Sequence, residues 1–266
     1  MNKNEKQMLA ILERAKADYG VLAVKAEFEA EGTRSDELLR LLEIARRAGV
    51  GVALKIGGCE AVRDLIECRQ FGVDYIIAPM VETPYALKKY IEAKDKVFPQ
   101  DERDEIRFLF NVETRVTFDH IADLGKLAAK GGVGMVFGRV DFAGSMGRQR
   151  DFVNSDEMTS YVERVAAVAR TYGLELVAGG GVNPDSIDPL RRVRAQRLDR
   201  FETRKVIFDA AVLDGDTAHH GMELAIEFEL LWLKNKRDYY SVISAEDKTR
   251  IAMMETRQKN SVARAA

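Results

Sequence analysis

Residues 106–144 read IRFLFNVETRVTFDHIADLGKLAAKGGVGMVFGRVDFAG. Two apolar runs of strand length, each closed by an acidic residue, flank a stretch with helical periodicity. Glu113 closes the first run and Asp141 the second, 28 residues apart, which is one strand-to-strand step with a helix between. The carboxyl end of a parallel strand aims a side chain into a pocket while the apolar residues before it stay packed in the sheet. Two carboxylates so placed suit a hard divalent cation, Mg²⁺ or Mn²⁺, which takes one or two of them and completes its shell with water and substrate oxygens. The same spacing also fits a plain structural role, with Glu113 pairing to a neighbouring Arg and Asp141 capping a turn.

Working outward, the same strand-then-helix alternation covers the chain. VLAVKAEFE (21–29) precedes SDELLRLLEIARRAG (35–49), VGVALKIGG (50–58) precedes CEAVRDLIECRQFG (59–72), and VDYIIAPMV (73–81) precedes TPYALKKYIEAKDKVF (83–98). Beyond Asp141, SDEMTSYVERVAAVARTYG (155–173) is helical, LELVAGGG (174–181) leads to NPDSIDPLRRVRA (183–195), and FETRKVIF (201–208) leads to a helical tail. Seven successive β-then-α units predict a parallel sheet. Thr83-Pro84 and Asn183-Pro184 read as helix N-caps followed by Pro at the first helical position, and Gly49, Gly72 and Gly173 separate a helix from the next strand. Polar residues recur at strand carboxyl ends: Glu27 and Glu29, Lys55, Glu113, Asp141, then Glu202 and Arg204. In a closed barrel all of these face one mouth, whereas an open sheet scatters them along an edge. The prediction is an α/β chain folded as a TIM-type (β/α)8 barrel with an irregular or missing first strand, because only a helix-like segment precedes Val21.

A length of 266 residues suits one such barrel, with no internal domain boundary. The division expected is a barrel over 1–216, a C-terminal helical extension over 217–258, and a disordered tail over 259–266. Charged residues make up 32% and the net charge is −2 with both signs interspersed, which argues against a nucleic-acid surface. No apolar run reaches the roughly 20 residues of a membrane span, and the charged opening segment lacks the pattern of a signal peptide, so a cytoplasmic protein is expected. Cys59 and Cys68, placed in one helical stretch, read as reduced packing residues. GMELAIEFELLWLKNK (221–236) is apolar over most of its circumference, more than one buried face needs, and a second helix over SAEDKTRIAMMETR (244–257) follows. Homo-oligomerisation through this tail is the expectation, the alternative being a helix wholly buried in one chain.

Several side chains are candidates for chemistry. Lys25, Glu27 and Glu29 share one strand face, with Lys25 deepest, and crowded carboxylates beside a lysine have the shifted pKa values that proton transfer requires. They equally make a structural ion-pair cluster with Arg204. Glu202 and Arg204 form a second same-face pair; Lys25 and Glu202 are read as substrate-binding, and Arg204, with its planar fork, as the anchor for a distal carboxylate or phosphate. The glycine run at 179–181 either cradles a phosphate or is the tight turn that brings Asn183 to its cap. Lys25 or Lys55, if desolvated, offers a Schiff-base route that would leave Glu113 and Asp141 without a role.

NVETR followed by GVGMVFGRVDFAGSMG resembles the metal-binding signature of the HpcH/HpaI aldolase and citrate lyase β-subunit family, in the phosphoenolpyruvate/pyruvate barrel superfamily. There a Glu in an "I-E-T" strand end and an Asp in a "G-x-x-D-L" strand end hold Mg²⁺ or Mn²⁺. GVDYIIAPMVETPYAL is similar to that family's "P-x-V-x-x-x-x-x-A" strand, and AEFEAEG to its acidic "D-x-E" segment, so the likeness runs in order from Val24 to Phe208. The resemblance implies Glu113 and Asp141 as metal ligands, and the backbone around Asp141, Phe142 and Ala143 as the dock for a 2-oxo acid carboxylate, with Gly138 and Gly144 allowing close approach. It implies a class II-type aldolase or C–C lyase acting through the enolate of pyruvate or a related 2-oxo acid or acyl thioester. Three departures stand out. Lys55 takes the place of a family Arg that neutralises the enolate oxygen and lacks that bidentate fork. None of His120, His219 and His220 matches the mouth His that some members use as base, so the general base is not identified; the catalytic candidates are Lys55, Arg204, Glu27 and Glu29. The family's first strand has no counterpart before Val21. Two alternatives remain: a non-catalytic barrel used for binding or scaffolding, and a hydrolase or decarboxylase at the same metal site.

Overall fold

Eight strands follow one another around a closed barrel: β1 (Val21–Glu27), β2 (Gly51–Lys55), β3 (Tyr75–Ala78), β4 (Arg107–Val112), β5 (Val133–Gly138), β6 (Leu176–Gly179), β7 (Arg200–Glu202) and β8 (Val206–Asp209). This computed structural model describes residues 1–265, with side chains described for 1–258 and 260. The helices are α1 (Lys3–Tyr19), α2 (Ser35–Ala48), α3 (Val62–Phe71), α4 (Pro84–Val97), α5 (Gln100–Arg103), α6 (Arg115–Asp119), α7 (Ile121–Gly131), α8 (Arg139–Ser145), α9 (Asp156–Tyr172), α10 (Ile187–Arg194) and α11 (Ala218–Ala265). Period-two alternation sorts each strand's side chains. Ala23, Ala53, Ile77, Leu109, Val136, Val177 and Ile207 fill the barrel interior as one layer. Val24, Leu54, Ile76, Phe110, Phe137 and Phe208 point outward into the larger core under the helices. Below the interior layer Arg200 pairs with Glu175 and lies 4.6 Å over the Tyr75 ring, which plugs the amino end.

From β1 to β7 neighbours pair in parallel, but β8 runs antiparallel to both β7 and β1. FETRKVIF is therefore a hairpin and not one strand. Its turn contains no Gly, Pro or Asn; instead Thr203 exchanges hydrogen bonds with Val206, whose N–H donates to Thr203 Oγ1 at 3.1 Å. Six β-then-α units precede the hairpin, one fewer than the sequence pattern suggests. No strand precedes Val21 among the described residues; α1 does, seated by a capping box between Asn2 and Glu5 and burying Met8, Leu12 and Ala15. The gap that an absent first strand leaves is filled by β8 from the other end of the chain.

Further corrections are local. Asp141 stands in the first turn of α8, three residues past the end of β5, because helix begins directly at Arg139. Cys59 lies in a turn ahead of α3, while Cys68 is buried in it, and both are free thiols. The tail is a single helix, since nothing after Gly221 in the sequence is a Gly or Pro that would break it. The expected break before Ser244 is absent, α11 running to Ala265, and residue 266 of the expected tail lies outside the described residues. α11 climbs from the barrel's amino end, where Gly221 packs against Tyr19 and Phe208, to the mouth, where Lys236 pairs with Glu37 of α2. Met222, Ala225, Phe228 and Trp232 form its buried stripe; Ile226, Leu230 and Leu233 stay exposed.

Candidate active site

A cavity of about 350 Å³ opens at the carboxyl end of the strands. Ile77 and Val136 of the interior layer form its floor. Lys25, Glu27, Glu29, Lys55, Glu113, Gly138, Asp141, Glu202 and Arg204 line it together. Of the residues singled out from sequence, the exposed Gly144 does not line it, nor do Phe142 and Ala143. Both side chains are buried, the Phe142 ring packing on Phe118, Phe137 and Tyr161, so only their backbone is available for a ligand.

Glu113 follows β4 directly and is 2% exposed. Its Oε1 accepts from the Met80 N–H at 2.7 Å and its Oε2 from Asn111 Nδ2 at 2.6 Å, with Lys55 Nζ 3.8 Å away. Burial pushes its pKa above the ordinary carboxylate value, and the neighbouring Asp141 charge adds to this; Lys55 and the two hydrogen bonds offset only part. Met80 adopts φ +52°, the one left-handed non-glycine residue among those described, and in doing so aims its N–H at Glu113. Backbone strain held at a carboxylate in a cavity marks that carboxylate's position as fixed by design of the site. Gly138 serves the same carboxylate: a Cβ there would stand 3.0 Å from Glu113 Cβ and 3.2 Å from its Oε2. The space Gly138 leaves is thus filled by Glu113 itself.

The second cluster is a buried charge network. Lys25 Nζ bonds Glu202 Oε1 at 2.5 Å and lies 3.5 Å from Glu27 Oε1. Burial works against the Lys25 ammonium, but Glu202 and Glu27 outweigh it and hold its pKa above the ordinary value. Lys55 behaves alike: burial opposes its charge, and Glu113, Glu27 and Glu29, the last at 3.0 Å, keep it an ammonium. Glu27 is desolvated too, yet Lys25, Lys55 and Arg204 hold its pKa below the usual range. An imine-forming lysine must reach a neutral amine, so both candidates for a Schiff base are held in the wrong state. Gly179 makes room for Glu202, where a Cβ would meet its Cγ and Oε1 at 2.9 Å. Gly180, at φ +80°, backs onto the start of α8, within 2.6 Å of Val140 N for an added Cβ. Asn183 does cap the 3₁₀ turn Pro184–Ser186, so the glycine run acts as the tight turn.

Arg204 sits in the hairpin turn and not on a strand. It pairs with Glu31 at 3.2 Å and approaches Glu27 at 4.0 Å, while Lys205 beside it pairs with Glu31. Four residues of the site escape a reading of the sequence. Asn111, two before Glu113 on β4, is recoverable from strand alternation. Met80, Arg139 and Arg150 carry no local signal; Arg139 is fully buried, and burial lowers its pKa to about 10.

Six carboxylates and four cationic side chains line the cavity, an excess of two negative charges. Asn111 Oδ1 and Glu202 Oε2 are buried there without a hydrogen-bond partner. All-oxygen donors with surplus negative charge fit a hard divalent cation. Among the described residues no group of three or more His, Cys, Asp or Glu forms a cage, which leaves the two-carboxylate arrangement of Glu113 and Asp141.

The HpcH/HpaI aldolase/citrate lyase family pattern matches residues 4–189. No match is found among curated proteins. Among solved structures, an HpcH/HpaI aldolase from Desulfitobacterium hafniense DCB-2 superposes with TM-score 0.58 at 16% identity, covering 78% of this chain and 84% of that one. An HpcH/HpaI aldolase/citrate lyase family protein from Burkholderia cenocepacia J2315 gives 0.60 at 15% identity, covering 74% and 83%. The citrate synthase variant SbnG gives 0.56 at 18% identity, covering 74% and 81%. These likenesses establish the shared fold.

Proposed function

The chain belongs to the HpcH/HpaI aldolase/citrate lyase family, and from that premise we propose a divalent-metal-dependent carbon–carbon lyase that acts through the enolate of pyruvate or a related 2-oxo acid or acyl thioester. The observation that carries this reading is Glu113, a buried carboxylate held by a strained Met80 N–H, sharing with Asp141 a cavity that has an excess of two negative charges. In this reading Glu113 and Asp141 hold Mg²⁺ or Mn²⁺, which as a Lewis acid stabilises negative charge developing on the 2-oxo oxygen by several kcal/mol.

The remaining work falls to the chain's own side chains. Lys55, kept as an ammonium beside Glu113, supplies a fixed positive charge for the same oxygen, as a point charge where the family Arg offers a fork. The backbone from Asp141 to Ala143 receives the substrate carboxylate. Glu27 and Glu29 are the carboxylates placed to move a proton at the substrate's C3; Glu27 is held ionised, as a base must be. Lys25, itself held by Glu202, fixes Glu27 from below. One observation favours a second reading: among the described residues no His lines the cavity. Loss of CO₂ from a carboxylate carried on C3, β to the 2-oxo group, leaves its electron pair in the same enolate without removal of a C–H proton, so decarboxylation of a 2-oxo diacid of that kind suits a site with weak bases.

Oligomerisation is part of the proposal. Leu230, Leu233, Val242, Ile243, Ile251 and Met254 are exposed along α11, more apolar surface than a solvated helix needs, and a second copy of the chain would cover it. Among the described residues no helix is long and apolar enough to cross a membrane. The metal reading is tested by titrating Mn²⁺ into the protein and following water-proton relaxation. The wild type should bind the ion and respond to pyruvate, while Glu113→Gln and Asp141→Asn should each weaken binding at least tenfold. Equal Mn²⁺ binding in all three proteins would remove the metal from this cavity.

A further inference from the structure

Four cations line the mouth cavity, and three of them are committed to carboxylates of the barrel. Lys25 is held by Glu202 and Glu27, Lys55 by Glu29 and Glu113, and Arg204 by Glu31 and Glu27. Arg150 is the fourth. Among the described residues its guanidinium has no ion pair and no hydrogen bond, although Asp141 and Glu229 line the same cavity.

The segment that carries it is nonetheless firmly placed. Arg150 opens the 3₁₀ turn Arg150–Asn154, and the buried Arg139 fastens that turn to the barrel. Arg139 donates to Gly179 O at 3.1 Å, to Asn154 Oδ1 at 3.1 Å and to Ser186 Oγ at 3.3 Å, and Ser186 donates in turn to Asn154 Oδ1 at 2.9 Å. The turn also packs on the glycine run, where a Cβ on Gly181 would stand 3.3 Å from Val153 Cγ2. Arg150 is exposed, and an arginine with no protein partner, on a backbone pinned beside the cavity, is available to an anion from solution.

We infer that Arg150 is a specificity-determining residue, receiving a second anionic group, carboxylate or phosphate, at the far end of a substrate whose 2-oxo acid end lies at Glu113 and Asp141. The inference rests on the proposed function. It transfers to Arg150 the role that the sequence pattern gives Arg204, because Arg204 already has Glu31 and Glu27 as partners. A guanidinium fork matches either oxyanion bidentately, and a cation free of protein carboxylates has no internal partner to displace when the substrate arrives.

The test uses the full chain with saturating Mn²⁺ and calorimetric titration of three probes: 2-oxobutanoate, 2-oxoglutarate and 2-oxo-4-phosphonobutanoate. The wild type should prefer a doubly anionic probe over 2-oxobutanoate by about tenfold, the worth of one charge-assisted contact. The tighter of the carboxylate and phosphonate probes names the group. Arg150→Ala should abolish the preference while leaving 2-oxobutanoate within about twofold, Arg150→Lys should keep part of it, and Arg204→Ala should keep all of it. A preference that survives in Arg150→Ala, or that disappears in Arg204→Ala instead, overturns the assignment. Binding of 2-oxobutanoate with no preference in the wild type overturns the subsite alone, whereas failure of all three probes overturns the 2-oxo acid reading and the subsite with it.

Discussion

Replacing Glu202 with Gln puts the buried charge network to a quantitative test. Lys25 Nζ is 2.5 Å from Glu202 Oε1 and 3.5 Å from Glu27 Oε1, and all three side chains are at least nine-tenths buried. Removing one partner of a buried ion pair costs about 3–5 kcal/mol, because the other charge is left desolvated. Glu27 remains to hold Lys25, and the cavity admits water, so the cost expected here is about 2–3 kcal/mol. In a chain of this length that lowers Tm by roughly 5–10 °C. A double variant supplies the control. Lys25→Met combined with Glu202→Gln removes the stranded charge and should be more stable than Glu202→Gln alone. The Lys25 pKa is raised in the folded protein, so the stability it contributes is fully present below the unfolded lysine value and is lost only as pH rises through the folded one. The Glu202→Gln deficit should therefore stay constant across neutral pH. Thermal unfolding by circular dichroism, read at neutral pH, checks the ordering. A fall of less than about 2 °C for Glu202→Gln, or a double variant as unstable as the two single losses summed, would refute the reasoning.

Glu113→Gln should have the opposite effect on stability without metal. Its folded pKa is raised, so its charge destabilises the folded state above that pKa, and stability recovers as pH falls toward 4.5. The metal-free variant should thus match or exceed the wild type at neutral pH, by urea unfolding, with the gap closing as pH falls. Gly180→Ala places a methyl 2.6 Å from Val140 N at φ +80°, and should destabilise by more than about 2 kcal/mol in the same assay. Borohydride added with pyruvate at neutral pH should leave the protein mass unchanged, since Lys25 and Lys55 are both held as ammonium; a reduced adduct on either lysine would restore the Schiff-base route.

Much of the barrel was legible because its strands are apolar runs with polar ends, and each physical rule acts locally. Glu113 could be placed from the end of IRFLFNV, and the Thr83 cap from Thr-Pro. The hairpin was not legible, since Thr203 to Lys205 contain none of the residues that usually mark a turn and the turn is made by Thr203 bonding to Val206. The identity of the closing strand likewise depends on a contact between residues 21–24 and 206–208, far apart in the chain. Around the cavity, charged residues inside or just past an apolar run were found, Glu29, Asp141 and Arg204 among them, whereas Asn111 on β4 and Met80, Arg139 and Arg150 on the connecting segments were not. Arg150 looks like any surface arginine, Arg139 like another, and nothing about a Met after Pro79 announces a left-handed backbone. The role given to Arg204 failed to foresee Glu31, which reaches the site from the loop after β1.

The central claim is enolate chemistry at Glu113 and Asp141, and the most direct measurement is exchange of the pyruvate methyl protons in D₂O, followed by NMR. The account predicts exchange that requires Mn²⁺ or Mg²⁺ and is lost in Asp141→Asn. Exchange that proceeds without metal, or that persists unchanged in Asp141→Asn, would contradict it.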